Sequence, residues 1–279
     1  MTAVLSGTEL GRHIRAEVSA EAAALSERGV HPRLAVVVAT DDESSAWYVR
    51  SIAKTAARSG VQCDVVDLGA AATPAGITAE LARLSADPAV HGIILQTPLP
   101  GGARLEELAI AIDPAKDVDG ANPLSLGRLT AGLPAHAPAT AAAVLALLDH
   151  GAVPLAGRRA VVVGRSTVVG KPAAQLLLAR DATVTICHRH TADLAACTRE
   201  ADVLVVAVGR AGLITAEHVA PHAVVVDVGT NPTPDGGLAG DADARSLSGR
   251  VAALTPVPGG VGPVTTALLL RHTITAASR

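Results

Sequence analysis

The stretch from Arg158 to Thr191, RRAVVVGRSTVVGKPAAQLLLARDATVTICHRHT, constrains this chain more than any other, because it reads as one complete strand, glycine loop, helix and strand. AVVVG is the short apolar β-branched run that a buried parallel strand needs, and Lys171 to Arg180 carries the apolar spacing of a helix. Gly164 and Gly170 bracket the turn between them. Glycine there lets the backbone approach a phosphate closely, and the N–H groups opening the next helix favour an anion. The spacing G-R-S-x-x-x-G differs from the ordinary G-x-G-x-x-G fingerprint, and turns of this kind also recur for steric reasons alone. The residues after the second strand favour a phosphorylated cofactor. TVTIC leads into His188, Arg189 and His190, with no carboxylate before Asp193. A site selective for NAD places Asp or Glu about 20 residues past the loop, on the ribose hydroxyls, whereas a cation there suits the extra phosphate of NADP. NADP is the expected cofactor, with Arg189 and Arg165 the candidates for its 2′-phosphate.

The rest of the chain fits this unit into a larger α/β protein. Strands are expected at AVVVG, TVTIC, VLVVAVG, AVVVDVG and VAALTPV with short helices between them, a doubly wound pattern whose ligand crevice lies beyond the carboxyl ends of the strands. Upstream, helix (Gly7 to Arg28), strand (Leu34 to Thr40), helix (Ser44 to Ser59), strand (CDVVDLG), helix (Thr73 to Ser85) and strand (Gly92 to Gln96) alternate, which builds a second parallel sheet covered by helices. The segment DPAKDVDGANPLSLGRLTAGLPAHAPAT has little periodicity and reads as loop around a site and a domain junction. The expected organisation is therefore two α/β domains: residues 1–138 with 266–279, and a Rossmann-like domain over 139–265, the final helix packing back onto the first.

Composition excludes several alternatives. With 279 residues, 49% hydrophobic, 18% charged and a net charge of −3, the chain has the make-up of a buried globular enzyme and no electrostatic footprint for nucleic acid or an anionic membrane. No apolar run approaches the roughly 18 to 20 residues of a membrane span, and MTAVLSGTELGRHIR lacks a secretory pattern. A cytoplasmic location is expected. Cys63, Cys187 and Cys197 are odd in number and lack C-x-x-C spacing, so reduced thiols and no metal site are expected.

Eight stretches carry a resemblance that runs from about Leu5 to Ala276: DDESSAWYV, GIILQTPLP, PAKDVDGANPLSLGRL, VVVGRSTVVGKP, VTICHRHT, ADVLVVAVG, VVVDVGTN and TPVPGGVGPVT. In number, order and spacing they resemble the methylenetetrahydrofolate dehydrogenase/cyclohydrolase family. Members oxidise 5,10-methylenetetrahydrofolate with NADP and hydrolyse the methenyl product, commonly as homodimers. The resemblance implies a folate in a cleft between the domains against Tyr48, Leu95, Gln96, Thr97, Asp119 and the turn Pro258, Gly259, Gly260, Val261 and Gly262, with Tyr48, Gln96 and Asp119 in catalytic roles. It implies NADP on Gly164, Arg165, Ser166, Arg189 and Thr230. Asp119 matches the aspartate that meets the amino-pyrimidine edge of the pterin, where a carboxylate pairs with two N–H donors. Each also has a plainer reading: Tyr48 and Trp47 as packing, Gln96 satisfying loop backbone, Asp117 and Asp119 as turn formers.

One departure matters. The family pattern puts its catalytic lysine four residues after the tyrosine, and that position here is Ile52. Lys54 does not substitute, since on a helix a residue four along lies about 40° around from Tyr48 and one six along about 240°. Smaller departures, Pro138-Ala139-Thr140-Ala141 for the family's PCTP turn and Thr230 for its isoleucine, fall where contacts are chiefly backbone or packing. The expectation is an NADP-dependent dehydrogenase with weak or absent cyclohydrolase activity. The alternatives are a non-catalytic folate- and nucleotide-binding homologue and an enzyme of a specialised pathway using a folate-bound carbon.

Overall fold

The computed structural model describes residues 1–279 and divides into two bodies: an N-terminal body of His13–Ala139 with Thr266–Arg279, and a C-terminal body of Met1–Arg12 with Thr140–Thr265. The chain opens with a two-residue strand β1 (Ala3–Val4) and a helix α1 (Gly7–Glu27). It continues through β2 (Arg33–Val38), α2 (Glu43–Arg58), β3 (Gln62–Asp67), α3 (Pro74–Ala86), β4 (Gly92–Leu95), α4 (Leu105–Leu108) and α5 (Pro123–Thr130).

In the N-terminal body β2 lies between β3 and β4 in a parallel three-stranded sheet. Leu34 to Val38 are buried on both faces, as a strand flanked by parallel neighbours and covered by helices requires. Ala35, Val37, Ile93 and Leu95 pack with Ile77, Leu81 and Leu84 of α3. Those three α3 side chains, spaced four and three apart, form one apolar stripe, and burying each stabilises the body by about 1.5 to 3 kcal/mol. Asp42 starts α2 by accepting from the Ser45 N–H at 2.7 Å, and Gly60, at φ +74°, follows its end. Beyond β4, the Ile93 N–H donates to Lys116 O, so the segment carrying Asp117 and Asp119 runs beside the sheet edge.

The segment expected to be loop contains α5. Its signal is Asn122-Pro123, a capping side chain followed by proline at the first helical position, and Asn122 Oδ1 accepts from the Leu124 N–H at 2.8 Å. Two turns are too short to stand out as periodicity.

The C-terminal body continues with α6 (Ala139–His150), β5 (Arg159–Val163), α7 (Gly170–Leu178), β6 (Thr183–Cys187), α8 (Leu194–Thr198), β7 (Val203–Val206), β8 (Val224–Asp227), the hairpin β9 (Asn231–Pro232) and β10 (Leu238–Ala239), α9 (Ala244–Leu247) and β11 (Ala253–Leu254), and the last helix, α10 (Val261–Ala277), starts in it and belongs to the N-terminal body from Thr266 on. Its six-stranded sheet is parallel in the order β6-β5-β7-β8-β11-β1. Taken from β5 as first strand, the first five run 2-1-3-4-5, a doubly wound order whose switch point lies between β5 and β7.

Residues 1–12 depart from the expected division. They belong with the C-terminal body, because β1 pairs with β11 and the Gly7 N–H donates to Gly259 O at 2.8 Å. A strand of two residues whose only partners lie some 250 residues away leaves no local pattern to read.

Candidate active site

Helix α2 presents two faces. Ser45, Val49, Ile52 and Ala56 form its buried stripe, and Ile52 has no exposed surface. Tyr48 sits at the edge of that stripe, partly buried, while Lys54 is exposed on another face. The Tyr48 phenol hydrogen-bonds with the Thr266 hydroxyl of α10, and it lies close enough to Asp119 to feel that charge. Burial, and then Asp119, push its pKa well above the ordinary value, so Tyr48 is a neutral hydroxyl and not a phenolate base. Thr266 is a site neighbour that no local sequence signal marks.

At the end of β4, Gln96 donates through Nε2 to Thr97 O at 2.8 Å, and the Ser45 hydroxyl donates to the same oxygen at 2.9 Å. That shared acceptor ties α2 to the turn after β4. Leu95 turns its side chain into the core with Ile93, since residues two apart in a strand share a face, which leaves its backbone as what it can offer a ligand.

The two aspartates of DVDG separate cleanly. Asp117 is fully buried and accepts from the N–H groups of Ala121 and Asn122, both at 2.9 Å, so it is the turn former. Asp119 accepts from the Ala139 N–H, and burial together with the Asp117 charge raises its pKa to about 7. Gly120, at φ +62°, packs so tightly on Pro138 that a Cβ would fall 2.5 Å from its nitrogen. Tyr48, Asp119 and Thr266 thus gather at one place in the N-terminal body, with Ile52 one turn along α2.

In the C-terminal body, the loop from Gly164 to Gly170 follows β5 at the switch point. Gly164 has φ +126°, and a Cβ there would collide with Ala207 O after β7, while one on Gly170 would collide with Gly164 O. Only glycine permits this close crossing. Ser166 Oγ accepts from the Val169 N–H at 3.1 Å and steadies the entry to α7, leaving Arg165 exposed. Arg189 is exposed at the end of β6, its Nε 3.1 Å from His190 Nε2. Asp193, the first carboxylate after that strand, caps α8 through the Ala196 N–H. Thr230 is exposed after β8. In the turn Pro258 to Gly262, a Cβ on Gly260 would lie 2.6 Å from Pro256 O. Gly259 O takes the Gly7 N–H, which fixes the turn to the start of α1.

Two family models match the chain: the catalytic domain of tetrahydrofolate dehydrogenase/cyclohydrolase over residues 5–119, and its NAD(P)-binding domain over residues 138–279. This chain belongs to the tetrahydrofolate dehydrogenase/cyclohydrolase family. It is 77% identical over 278 residues to "Bifunctional protein FolD 1" of Saccharopolyspora erythraea, covering 100% of this chain and 95% of that one. Against the protein of the same name from Rhodococcus jostii it is 66% identical, covering 99% and 93%. The solved bifunctional FolD of Campylobacter jejuni superposes with a TM-score of 0.96 at 37% identity, covering 100% and 99%. The Trypanosoma brucei FolD, solved with NADP cofactor and inhibitor, gives 0.94 at 36%, covering 100% and 98%. The tetrahydrofolate dehydrogenase/cyclohydrolase family thus accounts for both bodies, the one that carries Tyr48 and Asp119 and the one that carries the glycine loop.

Proposed function

We propose that this chain oxidises 5,10-methylenetetrahydrofolate to 5,10-methenyltetrahydrofolate with NADP, and that its hydrolysis of the methenyl product is weak or absent. The cofactor loop supports NADP over NAD. Gly164 and Gly170 leave a cradle that side chains would fill, Arg165 and Arg189 are exposed beside it, and Asp193 is committed to its helix cap. Gly164, Ser166 and Thr230 complete the binding set. When bound, NADP supplies the hydride acceptor.

The protein's own work in that step is positioning. The N5 and N10 lone pairs of the folate expel the hydride, so the chain has to hold the methylene carbon in place and support the cation that forms. Asp119 in its ionised form accepts from the amino-pyrimidine edge, and neutral Tyr48 offers a hydroxyl. Gln96 completes the proposed folate contacts of the N-terminal body.

Hydrolysis is different. Water must lose a proton as it attacks, and a ring nitrogen must gain one as it leaves, work suited to a lysine whose pKa burial has lowered. Ile52 carries the argument: it is fully enclosed, it occupies the lysine position, and a hydrocarbon moves no proton. The relatives are named bifunctional, so the proposal concerns this chain's position 52 and not the family. Following NADPH formation and methenyl-folate absorbance together tests both parts. Failure to reduce NADP with methylenetetrahydrofolate would overturn the dehydrogenase, and methenyl hydrolysis well above the buffer rate would overturn the loss of cyclohydrolase. The homodimer that the resemblance implies belongs to the same proposal, and sedimentation velocity tests it.

A further inference from the structure

Two buried carboxylates lie beneath the loops that leave β7 and β8. Asp241, with 0% of its surface exposed, accepts from the N–H groups of Val208 at 2.7 Å, Gly209 at 3.0 Å and Arg210 at 2.8 Å, and from Asn231 Nδ2 at 2.9 Å. Asp227, 3% exposed, accepts from the N–H groups of Gly229, Asp241 and Ala242 at 2.8, 3.0 and 2.8 Å. The packing is built around them, since a Cβ on Gly229 would collide with the Asp241 carboxyl and one on Gly240 with that of Asp227.

All of these donors are neutral. Neither aspartate takes a side-chain cation as a partner: Arg245, four residues from Asp241 in sequence, is exposed, and Arg210 gives Asp241 only its backbone N–H while its side chain is exposed. Amide donors make a buried carboxylate tolerable without cancelling its charge. The two together therefore leave a negative potential at the carboxyl ends of β7 and β8.

The crevice gives that potential a direction. A dinucleotide lies across the switch point between β5 and β7. With the cations Arg165 and Arg189 after β5 and β6 taking its phosphorylated adenosine end, its other half would fall toward the loops beyond β7 and β8. That half is the nicotinamide, cationic when oxidised and neutral when reduced. Resting on the reading of the cofactor as NADP, we infer that Asp241, backed by Asp227, selects the oxidised cofactor by charge, favouring capture of NADP and release of NADPH. The same field also resists discharge of the bound ring, so the selection acts on cofactor exchange and not on the hydride step.

Calorimetric titration of NADP and of NADPH without folate tests this on wild type and Asp241→Asn. Wild type should bind NADP more tightly than NADPH. Asp241→Asn should shift that ratio toward NADPH by about 6- to 30-fold, the span expected for unit charges roughly 8 to 15 Å apart at an effective dielectric near 20. Asp227→Asn, which removes the charge that backs Asp241 through the Asp241 N–H, should shift it the same way by less. Equal weakening of both forms in Asp241→Asn would reduce the residue to a loop support and overturn the inference. Should that variant fail to fold, the wild-type ratio decides, and tighter binding of NADPH overturns the inference. Failure of wild type to bind either form would overturn the cofactor reading itself.

Discussion

His272 donates from Nδ1 to the carbonyl oxygen of Val118 at 2.8 Å, and its ring lies 4.9 Å from that of His136, centroid to centroid. The pair stands behind the turn that presents Asp119. His136 is buried with Nε2 unpartnered, and desolvation, then the His272 ring and Arg279, lower its pKa to about 4. Desolvation and Arg271 lower that of His272 as well, against the bond to Val118.

Both imidazoles therefore bind fewer protons folded than unfolded below about pH 6.5. The stability they contribute is fully present above that pH and is lost as the pH falls toward 4. Calorimetric melting between pH 7 and 4 should show a loss on the order of 1 to 3 kcal/mol that His136→Phe largely removes. An unchanged pH dependence in that variant would exclude the pair as its source.

Asp119 titrates in the other sense. With its folded pKa raised to about 7, the folded state holds the proton that an unfolded aspartate gives up near 3.9, so this group's contribution to stability falls as the pH rises from about 4 to 7. In the proposed function the folate meets the ionised carboxylate, so folate affinity should rise through pH 7 before levelling. Asp119→Asn should flatten that rise and weaken binding by about 1.5 to 3 kcal/mol, the worth of a hydrogen bond to a charged group. Folate titrations at several pH values check both.

Ile52→Lys should raise methenyl-folate hydrolysis about 10² to 10⁴-fold while NADP reduction persists, because Tyr48 and Asp119 stay in place around the restored group. Ile52 lies on the buried stripe of α2, so the variant should also melt at a lower temperature. A folded variant without hydrolysis would show that position 52 has become core.

Arg189→Ala should weaken NADP more than NAD by about 1 to 3 kcal/mol, since only NADP offers the 2′-phosphate to the guanidinium. Fluorescence titration with both cofactors measures the difference. Equal losses would assign the phosphate to another cation.

The parts legible in the sequence are those whose signals are local. The Gly164 to Gly170 turn, the buried strands and the position of Ile52 on α2 all come from period and spacing. Pairing over long separations is not local, so β1 beside β11 and Thr266 against Tyr48 leave no mark in the string of residues. Asp117 and Asp119 look alike there too. Only the amides of Ala121 and Asn122, closing on Asp117 and not on Asp119, single out the turn former.

The exchange of chain ends has a consequence for how the molecule holds together. Neither body is a continuous run of sequence, and two helices, α1 and α10, each pass from one body into the other. Melting the C-terminal body would fray the first turns of both helices, and the N-terminal body would lose the anchored starts of the segments it needs. The two should therefore unfold as a single cooperative unit, and a cut made at residue 139 would yield fragments that each lack a piece of themselves.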